Sequence, residues 1–284
     1  MNLLEIQPDS MALRLAEVVN RRVGLRLSDV LRKVSSSLAG VEDACRLAYV
    51  ERMIAASPRD RDWIDFVEGM LVHETYFFRH AAQVDLLRDD ILPRLDAERR
   101  KAERPAPLVV WVAGCSTGEE AWTMAFLAHE ARGAGVLGEV VPVSILATDL
   151  SETSLATARH GVYDRLHGLD SFRAIPPWAA PYFGAGRGTE AWVVPKTLRG
   201  SVRFARHNVL DPPPVLGADL VLCRNMLIYF DEAANRRAQE NLVSALRPGG
   251  VLVLGPADAL RTKGSLEAIA TDSATVYLKT AAVA

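Results

Sequence analysis

The chain has 284 residues, of which 49% are hydrophobic and 24% charged, as expected of a globular protein with one large domain or a domain and a smaller partner. Its formal charge of −2 excludes a global basic field, so we expect no nucleic-acid partner. The three cysteines are far apart and have neither CxxC nor zinc spacing, which indicates a reduced, cytoplasmic setting and no metal site. No run approaches the roughly 18 uncharged apolar residues of a membrane span, so no membrane insertion is expected.

The first part of the chain has the pattern of a helical domain. Between residues 11 and 78 no stretch shows the period of two that is typical of a strand. The clearest helical face repeats at i, i+3, i+4, i+7 and i+8 and comprises Trp63, Phe66, Val67, Met70 and Leu71. We therefore predict three or four short helices packed into a small bundle. A further helix is predicted around residues 84–95, and Pro93 should end or kink it.

In the second half, short apolar runs alternate with helical patterns. Strands are predicted over residues 109–113, 141–148, 201–205, 219–223, 251–254 and 274–278. Helices are predicted over residues 119–132, 153–159 and 232–246. Such alternation predicts an α/β fold in which a parallel sheet is covered by helices on both faces.

One segment, residues 163–196, breaks this alternation. It contains four prolines, six aromatic residues and four glycines and has no helical period. A segment of that length is too long for a plain loop in a compact domain. We therefore predict an excursion with its own structure or function, in which residues 191–194 can form a strand.

The stretch LVVWVAGCSTGEEAW, residues 108–122, joins a short buried strand to a helix through Gly114 and Gly118. A turn of this kind presents backbone N–H groups to a ligand. Asp149 ends the next predicted strand, where a carboxylate can accept hydrogen bonds from a ribose diol. Dinucleotides and S-adenosylmethionine are the two ligand classes that fit this arrangement.

The details of the turn favour the sulfonium ligand. The spacing Gly114-x-x-x-Gly118 is not the G-x-G-x-x-G fingerprint of dinucleotide sites, and Glu119-Glu120 stands where a P-loop has Lys-Ser/Thr. Two carboxylates would repel a pyrophosphate but not a cationic sulfonium. Each acid also has a purely structural interpretation, since Glu119 and Glu120 suit the first turn of any helix and Asp149 could be an N-cap.

Five ordered tracts resemble motifs of the CheR family, the chemoreceptor glutamate O-methyltransferases. The tract HETYFFR at 73–79 is similar to the family's N-x-T-x-F-F-R motif, and AGCSTGEE at 113–120 resembles its glycine motif. The other three are ILATD at 145–149, FARHNVL at 204–210 and CRNMLIYFD at 223–231. The resemblance extends from about Glu74 to the end of the chain and is weak before it.

The resemblance implies a Rossmann-like class I S-adenosylmethionine-dependent methyltransferase fold. It implies an N-terminal helical domain over residues 1–80 and a methyltransferase domain over residues 81–284. A small inserted β-subdomain is implied at about 163–200, which tethers receptors in some members of the family. The implied reaction transfers the methyl group of S-adenosyl-L-methionine to a glutamate of a chemoreceptor cytoplasmic helix and leaves S-adenosyl-L-homocysteine.

The resemblance also implies residue roles. Thr75 and Arg79 would contact the methionine end of the cofactor, Glu119 or Glu120 its amino acid portion, and Asp149 its ribose. The full set of implied cofactor-binding residues is His73, Thr75, Arg79, Gly114, Glu119, Glu120, Asp149, Asn208, Val209, Arg224 and Asn225. Arg79 and Tyr229 are the implied orienting residues at the transferring methyl. A glutamate is already ionised at neutral pH, so no catalytic base is expected.

Three departures from the family pattern leave alternatives open. His73 stands where the family has Asn, and residues 255–258 (GPAD) replace G-H-S-E. The tract at 33–49, KVSSSLAGVEDACRLAY, lacks the strongly basic helix that meets receptors, which argues against electrostatic docking of that kind. The alternatives are a methyltransferase acting on a non-receptor protein and a non-catalytic S-adenosylmethionine-binding module. A nicotinamide dehydrogenase comes last, because no hydride-transfer acid is found.

Overall fold

The computed structural model describes residues 10–101, 106–133, 135, 142–164, 171–183, 191–261, 266–270 and 274–280. The chain divides into two compact units. The first combines Met1–Val72 with Ile228–Arg237, and the second combines His73–Leu227 with Ala238–Ala284. The functional division into domains of residues 1–80 and 81–284 stays a prediction.

The first unit contains four helices, as the apolar periodicity predicts. They are α1 (Ser10–Val23), α2 (Leu27–Ala39), α3 (Asp43–Ala55) and α4 (Arg61–Glu68). The apolar face predicted for the last of these helices is buried at Trp63, Phe66, Val67 and Met70. Burial of such a stripe supplies most of the stability of helices as short as these.

The segment Ile228–Arg237 belongs to the helical unit although it is distant from it in sequence. The backbone N–H of Arg26 donates to the carbonyl of Tyr229 at 3.0 Å, and the Asn20 amide donates to Asp231 at 2.6 Å. These bonds tie the last turn of α1 and its connection to α2 to residues about 200 positions later. Sequence periodicity has no access to pairing of that kind.

The second unit contains the sheet, the helices around it and the inserted segment. Its elements and those shared with the first unit are α5 (Ala81–Leu86), a π-helical turn (Leu87–Ile91), α6 (Leu92–Arg100), β1 (Leu108–Ala113), α7 (Glu119–Gly133), β2 (Val143–Asp149), α8 (Glu152–His160), β3 (Val162–Tyr163), a 3-10 turn (Ala180–Phe183), β4 (Trp192–Val193), α9 (Lys196–Arg199), β5 (Val202–Arg206), β6 (Ala218–Cys223), a 3-10 turn (Leu227–Tyr229), α10 (Glu232–Ala245), β7 (Leu246–Leu254), β8 (Leu266–Ala270) and β9 (Thr275–Lys279).

Pro93 does not end the helix in which it lies. It stands in the first turn of α6, directly after the π-helical turn Leu87–Ile91. A proline has no N–H to donate to the carbonyl four residues earlier, and its ring crowds that carbonyl. The wider π turn relieves this crowding, so the helix continues from Ala81 to Arg100.

Among the described residues, seven strands form one sheet in the order β5-β2-β1-β6-β7-β9-β8. The first five strands in this order are parallel, as predicted, but β9 pairs antiparallel with both β7 and β8. The prediction of a wholly parallel sheet is therefore wrong at its C-terminal edge, and β8 was not predicted. Antiparallel pairing needs only a short connection, whereas a further parallel strand needs a crossover of a dozen or more residues.

The inserted segment carries a separate two-stranded antiparallel sheet, in which β3 pairs with β4. This confirms the predicted small β element and its strand at 191–194. Residues 165–170 and 184–190 of the predicted insertion lie outside the described residues. Phe77 packs edge-on against the rings of Tyr163, Phe183 and Trp192 at centroid distances of 5.0–5.2 Å. Phe77, in the tract at 73–79, thus helps to hold the inserted segment against the rest of the second unit.

The strand order places a topological switch point between β1 and β6. From β1 the chain moves to one side through β2 and β5 and then returns to the other side at β6. In open α/β sheets, ligands bind at the carboxyl ends of the strands beside such a point. Within the described part of the chain, no helix combines the length and apolar character needed to cross a bilayer.

Candidate cofactor site

The glycine turn after β1 is held against its neighbours so closely that only glycine fits. Gly114 has φ +74° and its N–H donates to the Thr148 carbonyl at 2.8 Å. A Cβ on Gly114 would lie 2.6 Å from the sulfur of Met226, and one on Gly118 would lie 2.7 Å from Ala158 Cβ. The positive φ values and these contacts together require glycine at both positions.

Asp149 links the tip of β2 to the glycine turn. One carboxylate oxygen accepts from the Ser116 N–H at 2.8 Å and the other from the Ser151 N–H at 2.9 Å. Burial raises the pKa of this carboxyl. The N-cap of α8 is Ser151, whose hydroxyl accepts from the Ser154 N–H. The interpretation of Asp149 as a plain N-cap is therefore wrong.

Glu119 is a buried carboxylate whose hydrogen-bond donors are neutral. It is only 2% exposed and accepts from the Thr117 hydroxyl at 2.6 Å and from the Ser171 hydroxyl at 2.7 Å. Burial raises the pKa of this carboxyl above its usual range. Because hydroxyl groups do not neutralise a negative charge, a cation bound nearby would be stabilised.

Glu120 differs from Glu119 because a cation already lies beside it. Its carboxylate accepts from Arg224 Nε at 2.9 Å, and the Arg224 side chain is 2% exposed. The same guanidinium donates to the Arg79 carbonyl at 2.6 Å. Neighbouring glutamates in one helical turn therefore have different electrostatic environments, and the sequence alone offers no means of telling them apart.

Asn225, directly after β6, has an unusual conformation held from two sides. Its φ is +58°, and its N–H donates to an Asp258 carboxylate oxygen at 2.6 Å. The same oxygen accepts from the Gly255 N–H at 3.1 Å. His80 Nε2 lies 2.8 Å from the Asn225 side-chain oxygen. Asp258 and His80 were missed as site residues, although Asp258 keeps an acid at the last position of the GPAD tract.

The start of the tract at 73–79 lies on the glycine turn and on α8. The His73 carbonyl accepts from the Ser116 hydroxyl at 3.3 Å, and its Nδ1 is 2.9 Å from the Ser154 hydroxyl. Thr75, two residues later, is buried with 8% of its surface exposed. His73 at the position of the family's Asn thus holds a hydrogen bond that joins two elements of the site.

Arg79 has a guanidinium that is only partly engaged. Nη1 donates to the Glu74 carbonyl at 2.8 Å, and the guanidinium carbon lies 5.4 Å from the centre of the Tyr76 ring. Nε is buried and has no hydrogen-bond partner among the described residues. An unpaired buried donor on a cation is costly, and an anionic group of a ligand would satisfy it.

Asn208 and Val209 follow β5 on the other side of Asp149. The His207 N–H donates to the Asp149 carbonyl at 3.0 Å, which brings this loop to the edge of the sheet. The Asn208 side-chain oxygen accepts from the Leu210 N–H at 3.1 Å. Val209 is buried, and its carbonyl accepts from Asn241 at 2.9 Å.

Tyr229 is the one predicted site residue that lies in the other compact unit. It ends a 3-10 turn, and its carbonyl accepts from the Arg26 N–H as described above. Its role near the transferring methyl stays a prediction.

The described site fits S-adenosylmethionine better than a nucleotide phosphate. Asp149, at the tip of β2 and bonded to the glycine turn, offers a half-buried carboxylate for a diol. The uncompensated carboxylate of Glu119 favours a cationic ligand and opposes a phosphate, while Arg79 can receive a carboxylate.

Comparison with known proteins supports the same ligand. The family model described as "CheR methyltransferase, SAM binding domain" matches residues 73–275. The chemotaxis protein methyltransferase of Borreliella burgdorferi is 29% identical over 264 residues, which cover 90% of each chain. Chemotaxis protein methyltransferase 1 of Pseudomonas aeruginosa is 35% identical over 195 residues, covering 68% of this chain and 69% of that protein.

A longer relative also matches. An uncharacterized 104.1 kDa protein of Rhodobacter capsulatus is 37% identical over 191 residues, which are 67% of this chain but only 19% of that protein. These matches confirm the predicted fold class, the S-adenosylmethionine cofactor and the methyltransferase class of enzyme. They leave no support for the nicotinamide dehydrogenase alternative. The chain belongs to the CheR family of S-adenosylmethionine-dependent methyltransferases.

Proposed function

We propose that the protein acts in the cytoplasm and methylates glutamate side chains of a chemoreceptor or a related signalling protein. The observation that carries the proposal is the bond between the Ser116 N–H and Asp149, which joins the glycine turn to the tip of β2 beside the switch point. Hydrogen bonds join His73 and Asp149 to Ser116 of the glycine turn, the loop at His207 to Asp149, and Arg224 to Glu120. The receptor glutamate as acceptor rests on the names of the chemotaxis relatives.

We propose that Asp149 holds the ribose of the cofactor through its half-buried carboxylate. Asn208 and Val209, whose loop is bonded to Asp149, would border the adenine. The backbone at Gly114, in the turn that follows β1, would pass under the middle of the ligand.

At the methionine end, we propose His73, Thr75 and Arg79 as the contacts. Arg79 is the one with an unpaired buried donor, so it would bind the carboxylate of the amino acid portion. Glu119 would face the positive charge of the ligand, because its charge is not compensated by its hydroxyl donors. Glu120 would act through Arg224, which together with Asn225 forms the floor.

The chemistry requires alignment more than acid–base catalysis. The cofactor supplies an activated methyl group, and the acceptor glutamate is already a carboxylate at neutral pH, with an ordinary pKa of about 4.3. The protein has to align the acceptor oxygen with the methyl group and exclude water. We propose that Arg79 and Tyr229 orient the acceptor, and no residue is assigned as a general base.

Titration calorimetry with S-adenosylmethionine, S-adenosylhomocysteine and NAD tests the cofactor. Both sulfur ligands should bind and NAD should not, and NAD binding without either sulfur ligand would refute the proposal. Radiolabelled cofactor incubated with a purified receptor signalling domain tests the acceptor. We expect base-labile label on the receptor, and none on a receptor whose methylatable glutamates are changed to alanine.

One observation favours a second candidate, a methyltransferase of the same family that acts on a non-receptor protein. The basic side chains of α2 are engaged within their own unit, since Arg32 pairs with Asp29 at 2.9 Å and Lys33 donates to the Met70 carbonyl at 2.9 Å. These partners offset part of the positive charge that α2 would present to an acidic receptor surface. Base-labile label on a cell-extract protein other than a receptor, with no label on receptors, would support this candidate. Cofactor binding without any transfer would support a non-catalytic module.

A further inference from the structure

His80 and Asn225 form an unusual pair beside the proposed cofactor site. Both have left-handed backbone conformations, with φ +62° and φ +58°, which non-glycine residues adopt rarely. Their side chains meet at 2.8 Å between His80 Nε2 and Asn225 Oδ1. Residues in this conformation persist where the surrounding structure holds them, often at functional sites.

The surrounding structure does hold this pair. The His80 carbonyl accepts from the N–H groups of Gln83 and Val84, so the strained residue is also the N-cap of α5. On the other side, Asp258 anchors the backbone of Asn225 at 2.6 Å. A Cβ on Gly255 would lie 2.6 Å from the Asn225 nitrogen, so the end of β7 approaches this residue as closely as glycine allows.

The polarity of the side-chain contact depends on the tautomer of His80. Because an amide oxygen can only accept, the tautomer that matches this contact carries its hydrogen on Nε2. The Asn225 oxygen is thereby engaged, and its NH2 group remains as the donor that a ligand can use. Without His80 the amide could rotate by 180° and present its oxygen to the ligand instead.

We propose that His80 is a positioning residue for the cofactor, which fixes the orientation of the Asn225 amide so that its NH2 group donates to bound S-adenosylmethionine. This inference rests on the proposed cofactor site. The motif at 73–79 ends one residue before His80, and neither the motif nor the fold requires a histidine at that position.

Charge gives the proposal a second consequence. Burial lowers the pKa of His80, and the positive charges of Arg224 and Arg79 lower it further, while the contact with Asn225 and the charge of Glu120 oppose this. His80 is therefore neutral at pH 7.5. At acidic pH it gains a positive charge, which repels the sulfonium of S-adenosylmethionine but not the uncharged sulfur of S-adenosylhomocysteine.

Three variants test the role of His80 by calorimetric titration with both ligands between pH 5.5 and 8.5. His80→Gln keeps a donor that can reach Asn225, whereas His80→Asn tolerates the left-handed conformation but is too short to reach. We expect His80→Gln to bind both ligands almost as the native protein does at pH 8. His80→Asn should bind them about three- to tenfold more weakly, the usual effect of one lost hydrogen bond. His160→Gln, at an exposed histidine of α8, is the matched control and should change nothing.

The pH profile separates positioning from a purely structural role. As the pH falls through the lowered pKa of His80, the native protein should lose affinity for S-adenosylmethionine and lose less for S-adenosylhomocysteine. His80→Gln should remove the difference between the two ligands. The inference is overturned if His80→Asn and His80→Gln bind equally at pH 8, or if His80→Gln keeps the difference. Failure of the native protein to bind either ligand would instead refute the proposed cofactor site.

Discussion

Asp219 at the amino ends of the strands and the pair Asp149 and Glu119 at the carboxyl ends have opposite environments. At the amino ends of the strands, Asp219 is fully buried and accepts from Arg99 at 2.8 Å, from Arg247 at 2.6 Å and from the Val109 N–H at 2.8 Å. Glu98 in turn pairs with Arg247 at 2.8 Å. Two guanidinium groups and two carboxylates therefore balance at this end.

At the carboxyl ends, the hydrogen bonds of Asp149 and Glu119 described above come from backbone amides and hydroxyls. Burial raises the pKa of both carboxyls, which means that holding them ionised reduces the stability of the fold. Perturbed groups of this kind cluster at functional sites. The contrast teaches that the same residue type stabilises one edge of the sheet and prepares the other to receive a cation.

The largest effect on stability is expected at the amino ends of the strands, where Asp219 is paired with two arginines. Asp219→Asn leaves the guanidinium groups of Arg99 and Arg247 facing each other with only Glu98 to compensate. We expect the free energy of unfolding in urea to fall by about 3 kcal/mol, the lower range for breaking a buried ion pair. Well below the melting temperature, cofactor affinity should be unchanged. A loss of less than about 0.5 kcal/mol would remove the contrast between the two ends.

The largest effect on binding is expected from Asp149→Asn. The variant loses the charge and one acceptor oxygen, so the affinity for S-adenosylmethionine should fall about 30- to 100-fold, as expected for the loss of a charged hydrogen bond. The free energy of unfolding should change by less than about 1 kcal/mol, because the charge that disappears was not paired. Glu152→Gln, on the adjoining helix α8, is the matched control for calorimetry and urea unfolding. Unchanged affinity in Asp149→Asn would contradict the ribose assignment.

Glu119→Gln should leave the stability of the fold equal or higher and lower the affinity for the cofactor. The folded pKa of Glu119 is raised, so its protonated form contributes stability that is present at low pH and lost as pH rises through the folded pKa. The variant removes that loss and should be as stable as the native protein or up to about 1 kcal/mol more stable at pH 7.5. Cofactor affinity should fall several-fold. The difference in stability should vanish below pH 4, measured by urea unfolding across pH.

The smallest effect is expected at an exposed ion pair. Arg173 of the inserted segment pairs with Glu74 at 2.9 Å and lies 3.8 Å over the Tyr76 ring, with about a third of its side chain exposed. Arg173→Gln should lower the free energy of unfolding by less than about 1 kcal/mol. Arg159→Gln, which breaks the exposed pair with Glu152, is the comparison variant. If Arg173→Gln lowered the free energy of unfolding by nearly as much as Asp219→Asn, exposure would not determine how much an ion pair contributes to stability.

Much of the fold could be predicted because apolar periodicity and the positions of glycine and proline are local features of the sequence. The helical face at Trp63, the strand before Gly114 and the helix after Gly118 depend on residues within a few positions of one another. The strand β9 was predicted at residues 274–278, but its antiparallel direction could not be, because strand direction depends on how the chain returns to the sheet. Nor could the continuation of the helix through Pro93, which depends on a π turn.

By itself, the sequence determined the strand–glycine–helix turn, the acid at the tip of β2 and the family to which the chain belongs. Each of these features depends on residues within one contiguous tract of the sequence. Only the tertiary structure decided that Glu120 is paired and Glu119 is not, that Asp258 anchors Asn225 and that His80 meets its amide. The contacts of Arg224 with Glu120, of Asn225 with Asp258 and of His80 with Asn225 join residues that are 104, 33 and 145 positions apart. Charge compensation and desolvation are set by neighbours in space, so the chemistry of the site follows from the packing.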